Sequence, residues 1–305
     1  MAVCNGSSSQ TGHKQVSYLS MNDSTLFASL NEKYRLELLQ TLVKRNLKIR
    51  YKGSVFGFLW SLFTPLSQIL IYVVFAKILK FNNGNPHYLQ FLVGGIILWQ
   101  FTAGCLNDSL FAIVGNANLV KKVFFPRLLL PLSTALATGI NFLIAFAVLI
   151  IYLLITGIAV FHGGYLAAAV AMHLLLGIGL CCLCSTLNVF FRDTQHWIGI
   201  LSQIWFFLSP VFYGLDMQID VMEKHFSFAS PSLVYLNPMT GILSAYRQAL
   251  MAPSTPRVLE SGRVISGWVP LGAAPLAISA VVCVAVFVIG ILVLRAGNKK
   301  LGDVL

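Results

Sequence analysis

Charged side chains are scarce in this sequence, and their placement limits the chemistry they could do. Asp108 falls inside an apolar run, with Gln100 and Asn107 nearby. A carboxylate at membrane depth is a candidate proton carrier, although near the cytoplasmic end of a helix it is solvated and needs no such role. A relay also requires a second carboxylate to take the proton, and none is placed to do so. Lys44, Arg45, Lys48 and Arg50 cluster just before the first apolar run. Such a cluster anchors a helix on an anionic leaflet, or guides an anionic, lipid-linked solute. The motifs that catalysis would need are missing: no GxxxxGK[ST], no HExxH and no GxSxG occurs, and Lys52-Gly53-Ser54 has the wrong order for a phosphate loop. The histidines, at 13, 87, 162, 173, 196 and 225, form no ligand spacing. Cys105, Cys181, Cys182, Cys184 and Cys283 fall within apolar runs and read as small hydrophobes. The run of three at 181–184 could bind a soft metal, but it has neither paired CxxC motifs nor a neighbouring histidine. No catalytic residue, metal or cofactor is therefore assigned to this chain.

The elements that must position these residues follow from composition. With 57% hydrophobic and 10% charged residues in 305, the apolar surface exceeds what a soluble core could bury. The expected class is an all-α integral membrane protein. Runs long enough to cross roughly 30 Å of hydrocarbon occur at Phe56 to Leu79, Leu89 to Val114, Leu128 to Val160, Tyr165 to Phe191, His196 to Phe212 and Leu271 to Leu294. Six transmembrane helices are thus expected within 54–305. The third run, 33 residues long, exceeds one level crossing and should tilt or begin in the interface. Ahead of the spans, 1–30 reads as a disordered cytoplasmic arm. Residues 31–53 read as an amphipathic interfacial helix, with Leu36, Leu39, Val43 and Leu47 on one face and the basic cluster on its flank. With both termini cytoplasmic, Lys and Arg of the short loops divide twelve inside to two outside. Nucleic acid is the rival partner for a net charge of +11, but basic residues that flank spans suit membrane lipids better.

Three interruptions stand out. Arg192-Asp193 opens the fifth run and Ser209-Pro210 closes it, so a membrane segment there has a charged start and a broken end. Between the fifth and sixth spans, about 214–269, the stretch Leu233 to Leu250 is apolar but broken by Asn237-Pro238 and Gly241. It reads as short re-entrant helices dipping in from outside over the exit of a pathway, or as a surface helical pair. Between the second and third spans, Asn116 or Asn118 caps a short helix carrying Lys121 and Lys122, either a docking knob for a soluble partner or a charged turn. Aromatics crowd the span ends, among them Trp60, Tyr72, Trp99, Trp205, Phe207 and Tyr213. They form an interfacial belt, or a subset lines a path and stacks on sugar rings.

In order and spacing, five segments resemble the membrane subunit of type 2 ABC exporters, in particular the permeases for O-antigen, capsule or teichoic-acid chains. They are Leu42 to Leu66, Asn116 to Pro131, Phe190 to Asp193, Leu208 to Tyr213 and Leu236 to Arg247. The resemblance implies a homodimer in the bacterial inner membrane, driven by two copies of a separate ABC ATPase that holds ATP and Mg. It implies that Leu119, Val120, Lys121 and Lys122 form the coupling helix and that Arg192 and Asp193 make a second ATPase contact. Pro210, Asn237, Pro238 and Arg247 then belong to the external gate, and the aromatic set to the translocation path. The implied substrate is a polyprenyl-pyrophosphate-linked glycan, received by Lys44, Arg45, Lys48 and Arg50. Three other readings stand beside it: a type 2 ABC permease for a drug or small lipid, a membrane transferase, for which no acid/base pair is found, and a channel or proton-coupled carrier resting on Asp108.

Overall fold

The computed structural model describes residues 32–53, 56–79, 87–122, 126–225, 231–251, 257–258, 264–265 and 271–304. The arm expected at 1–30 lies outside them. Helix α1 spans Glu32–Tyr51. A 3₁₀ turn at Gly57–Leu59 leads into α2, Trp60–Leu79. Then come α3 (Tyr88–Ser109), the short α4 (Phe111–Val114) and α5 (Ala117–Lys122), α6 (Leu129–Ile155) and α7 (Gly163–Phe190). The second half holds α8 (Thr194–Leu208), α9 (Leu215–His225), a 3₁₀ segment at Pro231–Leu236, α10 (Pro238–Leu250) and α11 (Ala273–Val304). The described strands are two residues each, β1 (Arg257–Val258) and β2 (Val264–Ile265), paired antiparallel.

Among the described residues, four stretches are long and apolar enough to cross a membrane: Tyr88–Ser109, Leu129–Ile155, Gly163–Phe190 and Ala273–Asn298. Helix α2, at 20 residues, has roughly the 30 Å length of one crossing. The fifth expected span behaves differently. Helix α8 has 15 residues, roughly 22 Å, because Pro210 offers no N–H and Ser209 turns its hydroxyl back to Trp205 O at 2.8 Å. The third run stops at Ile155, where the Thr156 hydroxyl donates to the Tyr152 and Leu153 carbonyls at 3.1 Å each. Its 27 residues still measure roughly 40 Å, longer than one level crossing.

Two surfaces explain how the bundle holds together. The outer faces of α2, α6, α8 and α11 expose Leu70, Ile71, Ile151, Leu154, Trp197, Ile200, Val281 and Leu292, a distribution suited to hydrocarbon and unsuited to water. Since lipid tails are as apolar as leucine, helix association then depends on close packing and polar contacts. Helix α7 supplies the first against α11. A Cβ on Gly290 would run into the Gly179 carbonyl, and one on Gly179 would lie 2.6 Å from Phe287 Cα, so only glycine permits this approach. At the other end of α7, Val160 N and His162 N donate to Leu250 O and Ala249 O at 3.1 and 3.0 Å, which ties the α6–α7 turn to the end of α10.

Candidate functional site

Helix α3 carries the site from one end of the bundle to the other. From Phe91 to Asp108 it rises roughly 25 Å, and three environments succeed one another along it.

At its C-terminal end α3 meets α1. Arg50 donates to the Asp108 carboxylate, and the Thr138 hydroxyl of α6 donates to the same oxygen at 3.0 Å. Both charged side chains are 33% exposed. Asp108 therefore sits with a positive partner at the rim. Arg45 donates to Asn116 Oδ1, Asn46 donates to Ser133 Oγ at 3.1 Å, and Tyr51 donates to Asn141 Oδ1 at 2.9 Å. These contacts divide the basic cluster: Arg45 and Arg50 have partners on the bundle, whereas Lys44 and Lys48 are exposed. Leu42 of α1 packs with Ile113, Val120, Leu129, Val189 and Leu294. That cluster brings α5 and the end of α7 to the same end of the molecule as α1. Val120 is buried and Leu119 half-buried, while Lys121, Arg192 and Asp193 are exposed beside them; Lys122 ends α5.

One turn deeper lies a cavity of about 430 Å³ between α1, α2, α3 and α6, where polar side chains alternate with apolar ones such as Ile97, Phe101 and Phe142. Its lining includes Tyr51, Thr64, Gln68, Gln100, Asn107 and Asn141, with Trp60 at one wall. Gln100 donates to Gln68 Oε1 at 3.0 Å across the helix pair. The cavity thus offers amide and hydroxyl groups to a solute with many hydroxyls. The assigned site residues include only Trp60 and Arg50 from this lining. Its signal in the sequence was polar residues at helical spacing inside apolar runs: Thr64 and Gln68 four apart, Gln100 and Asn107 seven apart, Thr138 and Asn141 three apart.

At Trp99 the surroundings become aromatic. Trp99 meets Trp205 edge-on at 5.7 Å and Phe206 at 5.5 Å. Tyr72 stacks on Phe212 at 6.3 Å, and Phe206 and Phe212 connect these to Phe207 and Tyr213. Five of the six aromatics assigned to a path, Tyr72, Trp99, Trp205, Phe207 and Tyr213, therefore share one cluster. Trp60 stands apart, against Phe56 and Phe63 at 5.8 and 6.0 Å.

Beyond the cluster the break after α8 is clamped from two sides. Asn237 caps α10, accepting from Met239 N at 3.1 Å with Pro238 in the first turn. The same side chain accepts from Trp205 Nε1 at 2.8 Å and donates to Ser209 Oγ at 3.0 Å. Arg247, 3% exposed, donates to Pro210 O at 2.7 Å and Val211 O at 3.0 Å, with its guanidinium carbon 3.4 Å above the Phe91 ring. A Cβ on Gly95 would strike the Val211 carbonyl, so the broken strand of chain lies directly on α3. Pro210, Asn237, Pro238 and Arg247 are thus brought into one assembly at this end.

Among the described residues no group of three or more His, Cys, Asp or Glu could hold a metal ion.

Residues 37–251 match the family described as ABC-2 type transporter. The chain is similar to an O-antigen export system permease protein of Klebsiella pneumoniae, 33% identical over 73% of this chain and 85% of that one. A protein of the same description from Myxococcus xanthus is 30% identical over 69% and 78%. The polysialic acid transport protein KpsM of Escherichia coli is 25% identical over 70% and 80%.

Proposed function

The chain belongs to the ABC-2 type transporter family, and from that premise we propose that it is the permease subunit of an exporter that carries lipid-linked polysaccharide from the cytoplasmic to the outer face of the bacterial inner membrane. The relatives suggest the substrate class. In this chain, the observation that carries the reading is the succession along α3 of a cavity lined in part by amides and hydroxyls, at Gln100 and Asn107, and an aromatic cluster at Trp99. A pyranose has polar hydroxyls around its edge and C–H faces that pack on aromatic rings. A path that offers amides first and ring faces next suits successive sugars and binds none of them tightly.

In this reading two copies of the chain, each with six spans and cytoplasmic termini, surround one path. The α1 end is cytoplasmic, and α8 together with α9 and α10 completes the fifth span and the external gate. Leu119 to Lys122 on α5, with Arg192 and Asp193, meet a separate ATPase present in two copies, which binds ATP and Mg; this chain performs no catalysis. A polyprenyl pyrophosphate brings the glycan to the α1 end, because charged phosphates and wet sugars do not enter hydrocarbon unaided. Lys44 and Lys48 meet its charge, backed by the positive potential of Arg45 and Arg50. ATP-driven closure of the partner pushes on α5 and the α7–α8 turn, and the clamp of Arg247 and Asn237 on the α8 break yields to open the exit.

The test is deletion of the chain in its host, with glycan measured outside and inside the cell. Loss of surface glycan with lipid-linked glycan accumulating inside is the expected result. Unchanged surface glycan with no accumulation, in a host with no second exporter, would overturn the reading in favour of a drug or small-lipid permease.

A further inference from the structure

A second cavity, of about 590 Å³, lies between α1 and the helix pair α6 and α7. It falls within the roughly 300–1,000 Å³ of small-molecule sites, yet it is almost wholly apolar. Val43 and Leu47 of α1 form one wall, Leu136 and Leu143 of α6 the other, and Phe101 and Phe142 the floor. An open groove of this kind in hydrocarbon either collapses or is filled, because its lining atoms otherwise forfeit their dispersion contacts. Collapse is opposed by polar contacts that fix where α1 rests on α6: Asn46 to Ser133 at 3.1 Å and Tyr51 to Asn141 at 2.9 Å.

The groove continues past Leu47 and Ile140, which line both it and a neighbouring space of about 440 Å³. Three lysines border the two spaces: Lys44 the groove, and Lys48 and Lys52 its continuation. All three are exposed, and Lys44 and Lys48 are one helical turn apart on α1. Among the described residues, no Asp or Glu lines either space.

We propose that this groove is a binding site for one anionic phospholipid, with an acyl chain lying between α1 and α6 and the phosphate against Lys44, Lys48 and Lys52. The lipid then fills the groove beside α1 and adds to the direct contacts that Leu42, Asn46 and Tyr51 make with the bundle. This does not rest on the glycan reading, and its test reads lipid retention with no reference to export.

The full chain, purified in detergent, is titrated with phosphatidylglycerol and, separately, with phosphatidylcholine of the same acyl chains, and bound lipid is counted by native mass spectrometry. One phosphatidylglycerol per chain is expected to survive detergent stripping, with retention on the order of tenfold above that of phosphatidylcholine. Replacing Lys44, Lys48 and Lys52 together by Gln should lower phosphatidylglycerol to the phosphatidylcholine level. Gly139→Leu should abolish retention of both, because Gly139 lines the groove and a Cβ there meets only Phe101 Cε2 at 3.8 Å, an ordinary contact. If that variant does not fold, the lysine variant alone decides. Equal retention of the two lipids by the unaltered chain would overturn the proposal, as would unaltered retention in the lysine variant. Binding that does not saturate near one lipid per chain would overturn it as well.

Discussion

Arg50 at the α1 end meets the Asp108 carboxylate with both side chains a third exposed, whereas Arg247 at the α10 end is buried and meets two backbone carbonyls and an aromatic face. The first contact is an ion pair at a solvated rim, worth little because water competes for both partners and salt screens them. The second satisfies carbonyls exposed where a helix breaks, and opening it would leave a guanidinium and two carbonyls unpaired in a dry interior. One end of the bundle includes, among several contacts, one that separates at small cost. The other is latched by one that separates only when something supplies the energy.

That contrast is broken most severely at Arg247. Arg247→Met leaves the Pro210 and Val211 carbonyls without a donor and should destabilise the chain by roughly 2–6 kcal/mol, read as a fall in melting temperature in detergent. Arg247→Lys should recover only part of it, because an ammonium lacks the planar fork that reaches both carbonyls. Intact stability in Arg247→Met would remove the latch from the account. Asn237→Ala comes next. It deletes the α10 cap along with the contacts to Trp205 and Ser209, and about 1–2 kcal/mol is expected, with the Trp205 fluorescence shifted as its indole N–H loses its acceptor. At the α1 end, a double-mutant cycle of Arg50→Gln and Asp108→Asn should give a coupling of about 1 kcal/mol or less, shrinking as salt is raised. A coupling as large as the Arg247 effect would erase the difference between the two ends.

Asp108 shows where the sequence stops being informative. Its place in an apolar run was plain, and so was its promise as a proton carrier. The arginine that meets it is 58 residues away, on a helix whose rotation about its axis decides which basic side chains face the bundle. Periodicity placed α1 and its apolar face, but could not tell that Arg45 and Arg50 have partners while Lys44 and Lys48 stay exposed. The break at Ser209-Pro210 was legible because proline lacks an amide hydrogen; the resemblance put Arg247, 37 residues on, in the same gate, but its bonds to the carbonyls of the break were not legible. Path aromatics could be nominated by type alone. Their assembly into one cluster depends on α2, α3 and α8 converging, which leaves Trp60 apart on the same helix as Tyr72. The cavity's polar lining was written in the sequence as amides and hydroxyls three, four and seven apart, but each run taken singly reads as a span with a tolerated polar residue.

The most direct test of the path along α3 is complementation of the deletion strain with the double substitution Gln68→Leu and Gln100→Leu. Exchanging both partners of this half-buried hydrogen bond for apolar groups of similar shape is close to neutral for folding, so the variant should insert at the level of the unaltered chain. Surface glycan should be lost while lipid-linked glycan accumulates inside. Full surface glycan from the inserted variant would contradict it.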